Sequence, residues 1–386
     1  MYPRGLSDPL KASPPRIHWI EDGEARSALW RSESGSPPPR RVMRADDRMT
    51  ADAAYRLACE GTALLWRGDF MNARQLLAAL ARRADHGRTA PATSPSEAFH
   101  RHRQAQAQRA RTLGMLLMPL ADDYATPLRR APDLRQACSE AYGPAEGSSV
   151  TSLRELLGLV GAHEWRKAGV EVPALAGRIF PHYGVFAPIR GEYVDLVAEA
   201  PLPATALAFD IGTGTGVLAA VLARRGITRI VATDQDPRAL ACASGNVMRL
   251  GLTAQIEVIQ ADLFPVGRAP LVVCNPPWIP ARPSSPLERA VYDFESRMLR
   301  GFIVGLAAHL EPRGEGWLIL SDLAEHLGLR ARSELLAWFA AAGLQVLGRI
   351  DRKPRHPRAS DAGDPLHAAR AAEVTSMWRL AAASSR

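Results

Sequence analysis

The chain has 386 residues, of which 47% are hydrophobic and 6% aromatic, and its formal net charge at pH 7 is +8. This length suits two domains, or one large domain with extensions. No apolar run reaches transmembrane length or forms a signal-peptide core, so we expect a cytoplasmic protein without membrane contacts. The four cysteines are scattered without CxxC spacing, so neither a disulfide framework nor a metal site is expected. The basic balance favours an acidic partner such as RNA, DNA or a ribosome.

The first 48 residues mix Pro, Ser, Arg and Asp, with the run Ser-Pro-Pro-Pro-Arg-Arg at 36–41. They show no hydrophobic period of 2 or 3.6 residues. A segment of this composition is typical of a disordered tail, which we therefore predict for 1–48.

Residues 49–150 are predicted to form a helical N-terminal domain. Apolar residues recur at helical spacing in a first helix that includes Leu57, Leu64 and Leu65, and Asp69 is placed to cap a second helix. A further helix carries four arginines and two histidines at 100–111, with no acidic residue from 98 to 121. This basic run is either a solvated helix face or a surface that contacts phosphates.

Residues 151–195 are predicted to connect the two domains and to form part of the site. A short helix at 152–160 precedes an irregular or β-rich stretch, and 180–193 contains too many aromatic, Gly and Pro residues for a helix. This stretch is either one wall of the site or a packed interdomain loop.

From residue 196 onward, strands and helices alternate, which indicates a parallel sheet with helices on both faces. The predicted strands lie at 207–211, 229–234, 256–262, 271–274, 316–321, 344–350 and 374–380. Polar residues concentrate after the first four strands. In open α/β sheets, ligands bind at these carboxyl ends of the strands.

The first of these strands runs into the glycine-rich turn Gly212-Thr213-Gly214-Thr-Gly216, which opens a helix at Val217. Glycines at these positions allow a sharp turn and a close approach between the backbone and a ligand. The turn alone is compatible with a dinucleotide, a nucleoside sulfonium or a simple tight turn.

Three acidic residues lie at or near the carboxyl ends of the first three predicted strands. Asp234 ends the second strand, 18 residues after Gly216, where a carboxylate accepts hydrogen bonds from both ribose hydroxyls. Asp262 ends the third strand and is placed to accept from an adenine amine, while Asp210 lies before the glycines and suits orientation of the loop or of a ligand ammonium group. The alternative for Asp234 and Asp262 is a helix cap.

The most specific motif is Asn275-Pro276-Pro277-Trp278, which follows a buried strand directly. Two prolines end the strand ladder and fix an extended backbone, so the Asn275 side-chain oxygen and the Pro276 carbonyl are directed into the site. Two acceptors suit a planar amine, whose delocalised lone pair makes it a poor nucleophile, and Trp278 offers a face for stacking.

Together these motifs resemble those of class I S-adenosylmethionine-dependent methyltransferases with an N-P-P-[YFW] signature. That group includes the release-factor and ribosomal-protein glutamine methyltransferases and the small-domain RNA base N-methyltransferases. The resemblance covers roughly 181–350 and implies a Rossmann-like α/β fold, with a seven-stranded, mostly parallel sheet whose last strand is antiparallel. It also implies a methyltransferase domain at 196–386 behind the helical N-terminal domain.

The resemblance further implies roles for individual residues. The glycine-rich turn lies around the methionyl part of S-adenosyl-L-methionine, Asp234 binds its ribose and Asp262 lies near its adenine, while Asn275 and Pro276 hold the acceptor nitrogen in line with the methyl group. The candidate cofactor-binding residues are Asp210, Gly212, Thr213, Gly214, Gly216, Asp234, Gln235, Asp262, Leu263 and Asn275. The candidate catalytic residues are Asn275, Pro276, Pro277 and Trp278.

These observations favour an N-methyltransferase that acts on a macromolecule, at a protein glutamine amide or an RNA base. The expected partner is a translation-related protein, or RNA and the ribosome. One alternative is a catalytically idle nucleic-acid-binding protein with the same fold. Another is a nicotinamide-dependent oxidoreductase, although the glycines occur as GxGxG rather than GxGxxG and the Asn-Pro-Pro-Trp motif then has no role.

Overall fold

A computed structural model describes residues 14–85, 92–284, 286–355, 361 and 363–383, with only the backbone at 286 and 287. The chain divides into two compact units by its contacts. Unit 1 comprises 1–88 and 106–160, and unit 2 comprises 89–105 and 161–386. Both units combine sheets with helices, which confirms the predicted α/β class.

Unit 1 is built on a six-stranded sheet in the order β1-β2-β6-β5-β4-β3. Its elements, two of which extend into unit 2, are β1 (Arg16–Glu21), β2 (Glu24–Trp30), β3 (Arg41–Ala45), α1 (Ala51–Cys59), β4 (Thr62–Trp66), α2 (Phe70–Asp85), α3 (Pro95–Leu113), β5 (Leu116–Leu120), α4 (Arg135–Tyr142), β6 (Ser149–Ser152) and α5 (Leu153–Ala168). The strands β3, β4 and β5 run parallel, whereas β1 and β2, and β5 and β6, pair antiparallel.

The predicted disordered tail at 1–48 is wrong for 14–48, because this segment contains β1, β2 and β3. Ile17 is fully buried, in one cluster with Ala28 and Trp30 of β2. Leu29, between these two residues, is also buried. Most other positions of β1 and the first half of β2 are exposed or half-buried, so no hydrophobic period is visible in the sequence. Residues 1–13 of the predicted tail lie outside the described residues.

The prediction of a purely helical N-terminal domain is also wrong. Thr62–Trp66, which the sequence pattern places in a helix, is strand β4 in the interior of the sheet, and four of its five residues are buried. A short apolar run fits a buried strand and a buried helix equally well, so periodicity does not separate them. The boundary expected at 150/151 also differs, because α5 continues from 153 to 168 and its first half is grouped with unit 1.

Unit 2 carries a seven-stranded sheet in the order β11-β10-β9-β12-β13-β15-β14. Its elements are β7 (Val170–Val172), β8 (Gly177–Ile179), α6 (Glu192–Glu199), β9 (Leu207–Ile211), α7 (Val217–Arg224), β10 (Arg229–Asp234), α8 (Pro237–Arg249), β11 (Ile256–Gln260), β12 (Ala269–Cys274), α9 (Pro286–Arg289), α10 (Arg297–His309), β13 (Leu310–Ser321), α11 (Leu323–His326), α12 (Arg332–Ala341), β14 (Leu344–Arg352), α13 (His367–Ala372) and β15 (Thr375–Ala382). The neighbouring strands β11, β10, β9, β12 and β13 run parallel. Strand β15 is antiparallel to both β13 and β14.

Helices pack on both faces of this sheet. Ala208 of β9 belongs to a buried cluster with α6 and α7, whereas Phe209 and Ile211 belong to a second cluster with α10 and α12. Successive side chains of a strand point to opposite faces, so four of the five residues of β9 are apolar because both of its faces are covered, and Asp210 is the exception. The central strands are thereby held rigidly, and the loops at their carboxyl ends start from fixed positions.

Candidate functional site

A cavity of about 610 Å³ lies at the carboxyl ends of β10, β9 and β12, which are neighbours in the sheet of unit 2. This volume is within the range of small-molecule sites, roughly 300–1,000 Å³. Of the candidate site residues, Gly212, Thr213, Gly214, Asp234, Gln235, Leu263, Asn275, Pro276, Pro277 and Trp278 line the cavity. Asp210, Gly216 and Asp262 do not belong to its lining.

The glycine-rich turn is anchored to β10. The Thr213 N–H donates to the Thr233 carbonyl at 2.8 Å, and the Gly214 N–H donates to Asp234 Oδ2 at 3.0 Å. Gly214 has φ +56°, and a Cβ on it would meet no atom within 4 Å. Its backbone therefore faces open space, which agrees with a turn that a ligand approaches closely.

Asp210, at the end of β9, holds this turn through hydrogen bonds. Its Oδ2 accepts from Thr213 Oγ1 at 2.6 Å and from the Ala219 N–H at 3.1 Å, and the residue is 1% exposed. Burial raises the pKa of the Asp210 carboxyl to about 6. Of the two roles considered for Asp210, orientation of the loop is the one that these contacts support.

Asp234 is the carboxylate in the cavity wall beside the turn. In addition to the Gly214 N–H, it accepts from the Asp236 N–H through Oδ1 at 3.0 Å. Burial raises the pKa of Asp234 above its ordinary value, while the backbone hydrogen bonds oppose this. A carboxylate has about four lone-pair sites, so Asp234 retains the capacity to accept from a ligand hydroxyl beside these backbone bonds.

The end of β11 contributes differently from the expectation. Asp262 is exposed and is not part of the cavity lining, whereas its neighbours Ala261 and Leu263 are. Leu263 adopts φ +71°, and its carbonyl accepts from Thr233 Oγ1 at 2.6 Å. The backbone and the Leu263 side chain, rather than the Asp262 carboxylate, therefore form this part of the wall.

The Asn-Pro-Pro-Trp motif forms the part of the lining that follows β12. Trp278 Nε1 donates to Asn275 Oδ1 at 2.9 Å, so the indole fixes the orientation of the amide. An amide oxygen has two lone pairs, and the second remains for another donor. The sequence prediction placed both residues in the site but did not foresee this bond between them.

Arg190 was not among the predicted site residues, although the segment around it was expected to form a wall. Its guanidinium lies 4.9 Å from the centre of the Trp278 ring, donates through Nε to Glu192 at 2.6 Å and through Nη2 to Glu373 at 2.9 Å. Both carboxylates are at most 4% exposed. Burial alone would lower the pKa of Arg190, but Glu373 and Glu192 outweigh it and raise the pKa. A permanent cation thus covers the indole.

The basic run at 100–111 lies on α3, as predicted for a helix. Its four arginines pair within the chain: Arg101 with Glu97, Arg103 with Glu288, Arg109 with Asp85 and Arg111 with Gln108. These partners occupy donors that a phosphate would otherwise use, so the contacts favour a structural role for the helix.

Across the stretches of chain that the structure describes, no helix is long and apolar enough to cross a membrane.

Residues 197–288 match the protein-family model described as ribosomal protein L11 methyltransferase. Over 69 residues the chain is 48% identical to the ribosomal protein L11 methyltransferase of Pelotomaculum thermopropionicum, which is 17% of this chain and 22% of that protein. It is 31% identical to the release factor glutamine methyltransferase of Cereibacter sphaeroides over 180 residues, 43% of this chain and 63% of that protein.

A third relative is the tRNA1(Val) (adenine(37)-N6)-methyltransferase of Shewanella loihica, 29% identical over 161 residues, which is 38% of this chain and 66% of that protein. The chain spans less than two thirds of the length of the two protein methyltransferases. The matched segment 197–288 contains the glycine-rich turn, Asp234 and the Asn-Pro-Pro-Trp motif. The matches to methyltransferases in this part of the chain therefore agree with the predicted enzyme class, whereas the domain bounds 196–386 stay a prediction.

Proposed function

We propose that the protein is an S-adenosyl-L-methionine-dependent N-methyltransferase that acts on a neutral, planar amine of a translation-related protein. The observation that carries this proposal is the cavity itself, which brings the glycine-rich turn, Asp234 and the Asn-Pro-Pro-Trp motif together at three adjacent strand ends. The seven-stranded sheet, with β15 antiparallel to its neighbours, supports a Rossmann-like methyltransferase fold.

The residues present fit the cofactor. The open space at Gly214 would admit the methionyl part, Asp234 would accept from the ribose hydroxyls, and Gln235 and Leu263 would flank the adenosine. When bound there, S-adenosyl-L-methionine would supply an electrophilic methyl group: as the acceptor nitrogen forms its bond to the methyl carbon, the methyl–sulfur bond would break, S-adenosylhomocysteine would leave, and one N–H proton of the acceptor would pass to solvent. Asp210 acts indirectly in this proposal, because it holds the turn rather than the ligand.

Asn275 and Pro276 bind the acceptor nitrogen. The free lone pair of Asn275 Oδ1 and the Pro276 carbonyl accept its two N–H groups, and these bonds strengthen as the nitrogen becomes pyramidal during attack. Such preorganised acceptors stabilise the transition state more than the ground state. Pro277 fixes the backbone between them and Trp278.

The lining of the cavity supports a neutral acceptor over a lysine ammonium. Arg190 lies against Trp278, but the buried Glu192 and Glu373 neutralise it, so its charge does not select the acceptor. None of the described residues that line the cavity is a histidine that would deprotonate an ammonium near neutral pH. A glutamine amide needs no such base before it attacks. The pairing of three α3 arginines with acids within the chain weakens the argument that this helix binds a polynucleotide.

The test uses methyl-labelled S-adenosyl-L-methionine with three separate purified acceptors: a peptide-chain release factor, ribosomal protein L11 and bulk tRNA. We expect label in a protein acceptor, released as methylamine by acid hydrolysis. Acid cleaves an N-methyl amide in this way but leaves N-methyl-lysine intact. Label that nuclease removes would instead support an RNA base, the second candidate, which the tRNA-modifying relative favours.

The matching variant is Asn275→Ala. It should lower turnover by roughly 10²–10³, by analogy with the loss of one preorganised hydrogen-bonding group, while binding of S-adenosylhomocysteine stays within a few fold. Asn72→Ala, which removes a partly exposed asparagine in unit 1, is the control and should keep full activity. Near-full activity of Asn275→Ala would refute the mechanism. Binding of S-adenosylhomocysteine without turnover on any acceptor would support an idle module.

A further inference from the structure

Residues Trp278, Ile279 and Glu288 to Tyr292 line the cavity after the Asn-Pro-Pro-Trp motif, and we call them the acceptor wall. The wall is outside the core of the sheet. An isolated bridge joins Ile279 to Tyr292, where the Ile279 N–H donates to the Val291 carbonyl at 3.2 Å and the Asp293 N–H donates to the Ile279 carbonyl at 2.9 Å. Inside the wall, the Val291 and Tyr292 N–H groups both donate to the Glu288 carbonyl, at 3.0 and 2.8 Å. These two bonds are local, whereas the two at Ile279 join 288–293 to the residues that follow the motif.

Additional support comes from the first half of α3, which belongs to unit 2 with the wall. Phe99 is buried in a cluster with Ile279, Leu323, Leu327 and Leu366, and Trp278 and Tyr292 pack against this cluster. The ring centres of Phe99 and Tyr292 are 6.5 Å apart. The helix therefore supplies the apolar backing of the acceptor wall.

Arg103 makes three contacts from the same helix. Its Nη1 lies 3.0 Å from Glu288 Oε2, its Nη2 donates to the Arg282 carbonyl at 2.7 Å, and its guanidinium carbon is 4.1 Å from the centre of the Tyr292 ring. Glu288 also accepts from the N–H and the hydroxyl of Ser284, each at 2.7 Å. Arg103 thus contacts both ends of the wall segment from Glu288 to Tyr292, and it also contacts the loop at Arg282.

From these contacts we propose that Arg103 is a positioning residue, which holds the acceptor wall in the geometry that binds the acceptor. The proposal rests on the proposed function for the identity of the bound group. Arg103 contacts wall residues rather than the reacting atoms. It should therefore affect acceptor binding and leave the cofactor side, which is built on the turn and Asp234, unchanged.

The neighbouring Arg101 provides a matched control. It is two residues away on the same helix, and its Nη2 pairs with Glu97 at 2.6 Å, one helical turn earlier. Arg101→Ala and Arg103→Ala remove the same side chain and the same charge. The contacts described for Arg103 reach the wall, whereas the ion pair described for Arg101 stays within α3.

The first measurement is hydrogen exchange of the backbone amides at 288–293 in the wild type and both variants. The three contacts of Arg103 are a partly exposed ion pair, a cation–π contact and one hydrogen bond, so we expect roughly tenfold faster exchange in Arg103→Ala. Arg101→Ala should exchange like the wild type. Equal exchange in all three proteins, or equal acceleration in both variants, would overturn the proposal.

The second measurement is steady-state kinetics with the purified acceptor that is methylated best. Arg103→Ala should raise the KM for the acceptor roughly tenfold, with kcat within about threefold and the Kd for S-adenosylhomocysteine within about twofold of wild type. Arg103→Lys keeps the charge near Glu288 and Tyr292 but loses the second donor to the Arg282 carbonyl, so its KM should be intermediate.

An unchanged KM despite faster exchange would overturn the role of Arg103 in acceptor binding. If the wild type methylates none of the three acceptors, the proposed function fails, and the exchange measurement alone decides whether Arg103 orders the wall.

Discussion

The hydrogen bond from Trp278 to Asn275 offers a direct test of how the acceptor site is organised. Trp278→Phe removes the indole N–H, which lies 2.9 Å from Asn275 Oδ1, and keeps an aromatic ring beneath Arg190. Without this donor, the Asn275 amide is free to rotate away from the orientation that suits the acceptor nitrogen. The variant should therefore reduce turnover through Asn275.

The expected size follows from the two interactions that Trp278→Phe removes or weakens. A neutral hydrogen bond contributes about 0.5–1.5 kcal/mol net, and the weaker cation–π contact of Phe costs roughly a further 0.5 kcal/mol. Together they predict a loss of about 1–2 kcal/mol in transition-state stabilisation, or roughly 5- to 30-fold in kcat/KM. This is well below the roughly 10²–10³ expected for Asn275→Ala.

The assay is a double-mutant cycle with the labelled-methyl reaction. If Trp278 acts through Asn275, the double variant should be about as active as Asn275→Ala alone, because the orienting bond has no further effect once the amide is gone. Trp165→Phe, at a tryptophan 48% exposed, is the control and should leave activity unchanged. Fully additive losses in the double variant would refute the reasoning, provided that each variant still binds S-adenosylhomocysteine.

Two further predictions concern the cofactor side of the cavity. Asp234→Ala removes an ionised acceptor for the ribose hydroxyls and for the Gly214 N–H, so S-adenosylhomocysteine should bind roughly 10- to 100-fold more weakly by calorimetry; a Kd within twofold of wild type would contradict this role. Asp210 has a pKa raised from 3.8 to about 6 in the folded state, so the unfolded chain loses this proton first as pH rises. The wild type should therefore lose roughly 3 kcal/mol of stability from this group between about pH 4 and pH 6, at 1.36 kcal/mol per pKa unit. Asp210→Asn does not titrate, and a wild-type-minus-variant difference in unfolding free energy that stays flat across this range would show that the pKa of Asp210 is not raised.

The core of the site was predictable because its signals are local. The strand at 207–211, the turn with glycines at positive φ and the acid that ends β10 lie within 28 residues of one another. Asn275 and the two prolines directly follow β12, so one short motif was enough to predict that they lie in the site. Asp262 shows the limit of this reasoning, since its position at a strand end did not place its side chain in the cavity.

The site residues that the sequence did not reveal pair with partners far away in the sequence. Arg190 and Glu373 are 183 residues apart, and Arg103 and Glu288 are 185 apart. No periodic pattern marks such pairs, because each partner alone is an ordinary charged residue that is most often solvent-exposed. For a charge run such as 100–111 the sequence left open a solvated helix face and a phosphate-contacting surface, because it did not show that the arginines have partners in the chain itself.

The strands of unit 1 were missed for a related reason. β1 has one fully buried residue, Ile17, and β3 has one buried residue, Ala45, so neither shows a clear alternation. Both are recognisable only through their pairing with β2 and β4. β4 was mistaken for a helix because four consecutive buried residues carry no strand-specific period.

The order of the large sheet has a consequence for synthesis on the ribosome. β15 is the last strand in the sequence, but it lies between β13 and β14 and pairs with both. While translation has not yet passed residue 382, β13 and β14 each present an unpaired edge, the kind of surface at which chains aggregate. Trp378 and Leu380, which belong to the same buried cluster as Leu318 and Phe339, arrive at the same moment. This unit can therefore complete its sheet only after residue 382 has left the exit tunnel.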